Sequence, residues 1–331
     1  MEQMEQIVEL LRKHERFVLA GHIGPDGDSI GSCFSLAAAL SDMGKNVCVL
    51  TEPYPGKYNI IPGKQFVFSG NLDKLVPDFK PEVFVALDCA DESRLGAAKA
   101  VFEQVNFTAC IDHHETNCGF AQLNYIEPAA SSTSEMTMRV IEKLQTPITK
   151  EIATAVYAGI VSDTGGFRFN ATGISTMETA AKLMNLGIPF TQIYNELMHR
   201  HSFAASKIKG FALEKCERTK DKKVVYTYVT YEMLKSARAS TADLDGMVEY
   251  LLGTNKAQAA ILIYEKTNDE DAVRVKVSLR SHGANMARVA AALGGGGHAM
   301  AAGAMTRGNI PDILSITLAL VAEEVALYES K

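Results

Sequence analysis

The sequence predicts an α/β protein. A parallel-sheet domain over residues 1–190 is followed by a helical linker over 191–218 and a smaller α+β domain over 219–331. Three observations carry this. Short apolar runs alternate with helical patterns up to about residue 190, as in a parallel sheet. The texture changes at Lys222, beyond which β-like runs are separated by helical or polar pieces. The length, 331 residues, suits two domains, and at 47% hydrophobic and 22% charged both can bury a core.

In order, residues 3–15 place Ile7, Leu10 and Leu11 on one helical face. Phe17–Ala20 reads as a short buried strand, ending in a turn rich in glycine and proline. Residues 29–43 form a helix of small residues, stopped by Gly44, and Asn46–Leu50 is the next strand. Residues 51–80 hold four prolines and no strong period, and so read as loops and short elements. Val83–Asp88 and Phe107–Ile111 are buried strands. Residues 133–145, 150–160 and 175–187 are helical, the last closed by Gly187 and Pro189. Residues 191–218 read as polar helix without a sheet partner. In the second domain Val224–Val229, Ala259–Tyr264 and Val273–Leu279 are β-like. Ala284–Leu293 and Asp312–Tyr328 are helical, with the glycine run Gly294–Gly297 between them.

The net charge is −6, and the whole acidic excess lies before residue 216. Long nucleic acid asks for a basic surface, so a small anionic substrate drawn in by bound cations fits better. No apolar run reaches the length of a membrane span, and the charged start MEQMEQIVELLRKHERF is an amphipathic helix rather than a signal peptide. The six cysteines show no CxxC spacing and read as free thiols of a reducing cytoplasm.

The chemistry starts at His22, Asp26 and Asp28, in the pattern H-x-x-x-D-x-D on the turn after the first strand. A core does not need three metal-competent side chains on one loop. Asp88, then Asp112, His113, His114, then Asp163 recur just after apolar runs, and a parallel sheet would bring such ends to one edge. His113 and His114, adjacent on a strand end, should point to different sides. Mixed histidine and carboxylate donors suit Mn²⁺ or Mg²⁺ better than structural zinc. So many carboxylates would repel unless cations sat between them. Two divalent ions roughly 3.5–4 Å apart are the usual answer in phosphoester hydrolysis, one role being to lower the pKa of a water and the other to take up phosphoryl charge.

GHIGPDGDSIGS at 21–32, Asp88, Asp112-His113-His114 and SDTG at 162–165 resemble, in order, the four motifs of the DHH phosphoesterase superfamily. SLRS at 278–281 with Asn285, then GGGGHAMAAG at 294–303, resembles the C-terminal domain that accompanies DHH in exonucleases and cyclic-dinucleotide phosphodiesterases. The resemblance implies one metal held by His22, Asp26 and Asp88, and another by Asp28, Asp88, His113 and Asp163, with Asp88 bridging. It makes Asp112 the residue that orients a ligand histidine, and His114 the one that reaches the scissile phosphate. The ions implied are two Mn²⁺, with Mg²⁺ or Co²⁺ as substitutes.

Glycines in the run 294–297 cost backbone entropy, so the run serves something. Either the backbone of Gly295, Gly296 and Gly297 cradles an anion, or the run is a flexible hinge. His298, Ser281 and Asn285 would add donors. Arg280 reads as phosphate-binding by its place in SLRS, against a plain surface charge, and Arg168 follows the fourth motif towards the cleft. Ser132 with Glu135 fits a capping box, while the same helix N-terminus could hold phosphate. His199, Arg200 and His201 read as surface or hinge residues.

The chain resembles the stand-alone oligoribonuclease and 3′-phosphoadenosine-5′-phosphate (pAp) phosphatase group of this superfamily, the nano-RNases. The resemblance implies a hydrolase of short RNA oligonucleotides, of pApA and of pAp; the expected setting is cytoplasmic, with no membrane, no long duplex and a homodimer as a compatible state. The alternatives are a stand-alone cyclic-di-AMP/pApA phosphodiesterase and a non-catalytic nucleotide-binding protein.

Overall fold

The structure, a computed structural model, describes residues 2–266 and 274–330. It divides into two compact units, Met1–Arg200 and His201–Lys331.

The first unit runs α1 (Glu2–Lys13), β1 (Arg16–Ala20), α2 (Gly27–Asp42), β2 (Asn46–Leu50), α3 (Leu72–Phe79), β3 (Val83–Leu87) and α4 (Lys99–Phe102). Then follow β4 (Phe107–Asp112), β5 (Leu123–Ile126), α5 (Thr133–Leu144), α6 (Lys150–Asp163), α7 (Ile174–Asn185) and α8 (Phe190–Tyr194). The strands form one parallel sheet in the order β2-β1-β3-β4-β5. Both faces are buried, which is why the strands read as unbroken apolar runs. Phe17 and Leu19 of β1 pack with α1, α2, α5 and α6, whereas Val18 and Ala20 pack with Leu75 of α3 and Val101 and Phe102 of α4. The strand order reverses between β1 and β3, the place beyond whose carboxyl ends open α/β sheets have their ligand crevice.

Helices α2 and α6 approach closely, because glycine faces backbone where they meet. A Cβ on Gly31 would lie 2.6 Å from the Ala155 carbonyl and 3.1 Å from the Gly159 Cα.

Two local expectations change. Strand β5, four residues of mixed polarity, carries too little pattern to be read from sequence. Helix α6 continues to Asp163, so Asp163 rides the last helical turn instead of following an apolar run. The buried pair Ile160 and Val161 and the Thr164 hydroxyl, donating to the Ile160 carbonyl at 2.6 Å, carry the helix that far.

The second unit contains α9 (Phe203–Glu214), β6 (Glu217–Arg218), β7 (Val224–Val229), α10 (Tyr231–Ala237), α11 (Met247–Leu252) and β8 (Ala259–Glu265). After them come β9 (Arg274–Ser281), α12 (Met286–Ala292), β10 (Gly296–His298), β11 (Ala301–Arg307) and α13 (Ile310–Glu329). Its mixed sheet has the order β10-β11-β9-β8-β7-β6, parallel only between β7 and β8. One face packs on α12 and α13, the other on α9, α10 and α11. The first residue of the expected strand Val273–Leu279 lies outside the described residues.

Residues 191–218, expected as a linker, divide between the units. Ile193 and Leu197 are buried in the first core, while Ile208 and Ala212 of α9 pack against Val225 and Leu262 in the second. Among the described residues no helix is long and apolar enough to cross a membrane.

Candidate metal centre

Asp26 is the N-cap of α2, its Oδ1 accepting from the Asp28 and Ser29 amides at 3.0 and 3.1 Å. Asp28 therefore sits in the first helical turn and is fully buried. Asp88, just past β3, has φ +56°, a left-handed backbone that a non-glycine residue adopts at a cost and that marks functional positions. Asp112 is the last residue of β4, and His113 and His114 follow it.

These side chains converge on the crevice. His22 Nε2 lies 3.5 Å from Asp88 Oδ2 and 3.9 Å from Asp26 Oδ1. His113 Nε2 lies 3.7 Å from Asp88 Oδ1 and 3.4 Å from Asp163 Oδ2. Donor atoms lie within 4.8 Å of one another in three groups: His22, Asp26 and Asp88; Asp28, His113 and Asp163; and Asp88, His113 and His114. Asp88 thus faces His22 with one oxygen and His113 with the other.

His113 and His114 do not point to opposite sides. Both reach Asp88, with ring centroids 4.9 Å apart, because β4 ends at Asp112 and strand alternation ends with it. Asp112 orients His114 rather than His113: its Oδ1 lies 2.7 Å from His114 Nδ1, and its Oδ2 accepts from Asn117 at 2.7 Å. His113 Nδ1 instead faces the Ala130 carbonyl at 3.4 Å, leaving Nε2 for the crevice.

The electrostatics are those of crowded carboxylates. Burial, then Asp88, Asp163 and Asp26, push the Asp28 carboxyl well above its usual range, although two backbone amides donate to it. Burial and then Asp88 raise Asp26. Burial lifts Asp163 to about 6, against the pull of His113. Burial would also raise Asp88, but the His22 hydrogen bond and the charges of His113, His22 and His114 outweigh it and hold it low. His114 is carried up to about 9, chiefly by the Asp112 hydrogen bond against burial.

The donor set fits divalent cations. Oxygen and imidazole donors surround a space where carboxylates repel one another, and a cation removes that repulsion. Each of these carboxylates keeps lone pairs beyond those its hydrogen bonds use. No cysteine enters the three groups among the described residues. Cys33, Cys48, Cys89 and Cys110 are buried, Cys216 is half-buried and Cys118 exposed, all as free thiols.

The resemblance left several neighbours unassigned. Asn117 fixes Asp112, Thr133 donates its hydroxyl to Asp88 at 3.2 Å, and the Arg94 guanidinium lies 3.2 Å from His22 Nδ1. Nothing in local sequence marks them: Thr133 and Arg94 come from segments distant from their partners, and Asn117, though close to Asp112 in the chain, meets it only beyond the end of β4. The N-terminus of α5 holds the Asp28 carboxylate, which leaves its first amides no phosphate to bind. Ser132 Oγ caps it, but Glu135 turns to the Ser131 amide and hydroxyl, so the box does not close on Ser132. Arg168 is exposed after α6. An open concavity of about 520 Å³ along Thr191, Asn195, Glu196 and His199 is lined by none of His22, Asp26, Asp28, Asp88, His113, His114 and Asp163.

In the second unit, His298, Ala301 and Arg280 form one row across β10, β11 and β9. Arg280 Nε donates to Glu249 at 2.7 Å. Ser281 is buried and gives its hydroxyl hydrogen to the Ala284 carbonyl, so it shapes the entry to α12 and is no free donor. Asn285 caps α12, its Oδ1 accepting from the Arg288 amide at 3.3 Å. The glycine run is not a loose loop. The Gly295 amide is bound to the Ala290 carbonyl at 2.7 Å, and Gly296 and Gly297 pair with β11. A Cβ on Gly295 would lie 2.2 Å from the Gly303 carbonyl, so close backbone approach requires this residue.

Residues 16–160 match the DHH family, N-terminal domain, and residues 221–323 match the DHHA1 domain. Over 327 residues the chain is 31% identical to the bifunctional oligoribonuclease and PAP phosphatase NrnA of Thermus thermophilus, covering 98% of this chain and 95% of that protein. The chain belongs to the DHH family. It is a metal-dependent phosphoesterase. An exopolyphosphatase-related protein from Bacteroides fragilis shares the DHH-chain fold with a TM-score of 0.88 at 24% identity, over 99% of this chain and 98% of that one. RecJ from T. thermophilus in complex with Mn²⁺ has a TM-score of 0.57 at 13% identity, over 98% of this chain and 55% of that one.

Proposed function

We propose that this DHH-family protein is a two-metal exoribonuclease of manganese type. It hydrolyses short oligoribonucleotides and linear dinucleotides such as pApA to mononucleotides, and removes the 3′-phosphate of pAp. The observation that carries this reading is the nearly full-length likeness to a protein named for both activities. In this reading His22, Asp26 and Asp88 hold one ion, and Asp28, Asp88, His113 and Asp163 hold the other. Bound divalent ions supply Lewis acidity, lowering the pKa of a water and screening phosphoryl charge. His114, kept charged by Asp112, donates from Nε2 to the phosphate under attack or to its leaving oxygen. In the second unit Arg280 and His298, in one cross-strand row, bind a terminal phosphate.

Purified protein with Mn²⁺ is expected to convert both pApA and pAp to AMP, and Asp88→Ala protein to leave both intact. Turnover of cyclic-di-AMP with pApA and pAp untouched would replace this reading by the second-messenger one. No turnover of any of the three overturns it.

A further inference from the structure

The pair Thr133–Ser134 supplies no ligand in the reading above, yet it touches both ligand groups. The Thr133 amide donates to Asp28 Oδ2 at 2.7 Å, and its hydroxyl donates to Asp88 Oδ1 at 3.2 Å. The Ser134 amide donates to Asp28 Oδ1 at 2.8 Å. Thr133, Ser134 and Asp28 are fully buried and Asp88 is 2% exposed, so water does not compete for these bonds. The two Thr133 donors belong to one residue, joined through Cα and Cβ in a single rotamer. Its covalent frame therefore sets how far Asp28 of one group stands from Asp88, the carboxylate that faces both.

The frame is braced from behind. Glu135 accepts from the Ser131 hydroxyl at 2.6 Å and the Thr176 hydroxyl at 2.9 Å, and pairs with Arg139, which also holds Glu127. On the other side there is no slack: a Cβ on Gly159 would lie 1.9 Å from Ser134 Oγ and 2.9 Å from Asp28 Oδ1.

We infer that Thr133 is a positioning residue that sets the spacing between the two ion sites, with Ser134 anchoring Asp28. The inference rests on the ligand assignment proposed above. The test reads metal binding without turnover, on the full chain titrated with Mn²⁺ and followed by calorimetry and electron paramagnetic resonance. Thr133→Val keeps the amide and the shape but removes the hydroxyl; Thr133→Ser keeps the hydroxyl. Wild type is expected to bind two spin-coupled ions. Thr133→Val is expected to bind at least one of them roughly tenfold more weakly, with altered coupling, and Thr133→Ser to restore both properties. Circular dichroism checks the fold, and Thr133→Ala replaces the valine variant if that one does not fold. Wild-type affinities and coupling in the variant lacking the hydroxyl overturn the inference. Fewer than two ions on the wild type, or unchanged binding in Asp88→Asn, instead overturns the ligand assignment and the inference with it.

Discussion

His114 and Asp112 show at the scale of single residues how one hydrogen bond, working against burial, holds a charge. Asp112 is fully buried with both oxygens committed, and His114 rises from 6.5 to about 9. The folded state therefore holds this proton more tightly than the unfolded chain does. The stabilisation is fully present below about pH 6.5 and is lost as pH rises through about 9. His22 is also raised, so the measurement is a difference. For metal-stripped protein, the urea-denaturation stability of wild type minus that of His114→Gln is expected to shrink between pH 6.5 and pH 9. A difference independent of pH would show that Asp112 does not hold the imidazolium.

Among elements, the contact of α2, α5 and α6 bears most directly on the site. Gly31 and Gly159 let the helices close, and the closure presses Ser134 and Asp28 together. Gly159→Ala would put a methyl group into that contact, and overpacking of this kind costs about 1–3 kcal/mol. The expected outcome is a lower melting temperature together with weaker Mn²⁺ binding, read by thermal denaturation with and without metal. An unchanged melting temperature would mean that α6 moves away from α5 freely.

For the whole molecule, the metal-competent residues lie in the first unit, and Arg280 and His298 in the second. The Arg280 pair with Glu249 is partly exposed, so breaking it is expected to leave the fold intact. Arg280→Ala is predicted to raise KM for pApA severalfold with kcat little changed, checked by steady-state kinetics beside a thermal melt. An unchanged KM would place terminal-phosphate recognition elsewhere.

The sequence by itself determined the α/β class, the two-part chain and the residue types offered at the strand ends. Buried strands, periodic helices and the spacing from His22 to Asp28 are local properties, and local pattern reads them. The resemblance of the motifs extended this to the family. Only the tertiary structure decided where the side chains point and what already holds them. Asp28 meets the Thr133 amide across 105 residues of sequence, and Asn117 and Asp112 meet only after β4 has ended. It turned His113 and His114 to one crevice, carried Asp163 on a helix, and committed Ser281 and the Gly295 amide to the backbone. A hydrogen bond between distant segments depends on packing that no local period encodes, so the ligand types are written in the sequence and their positions in the fold.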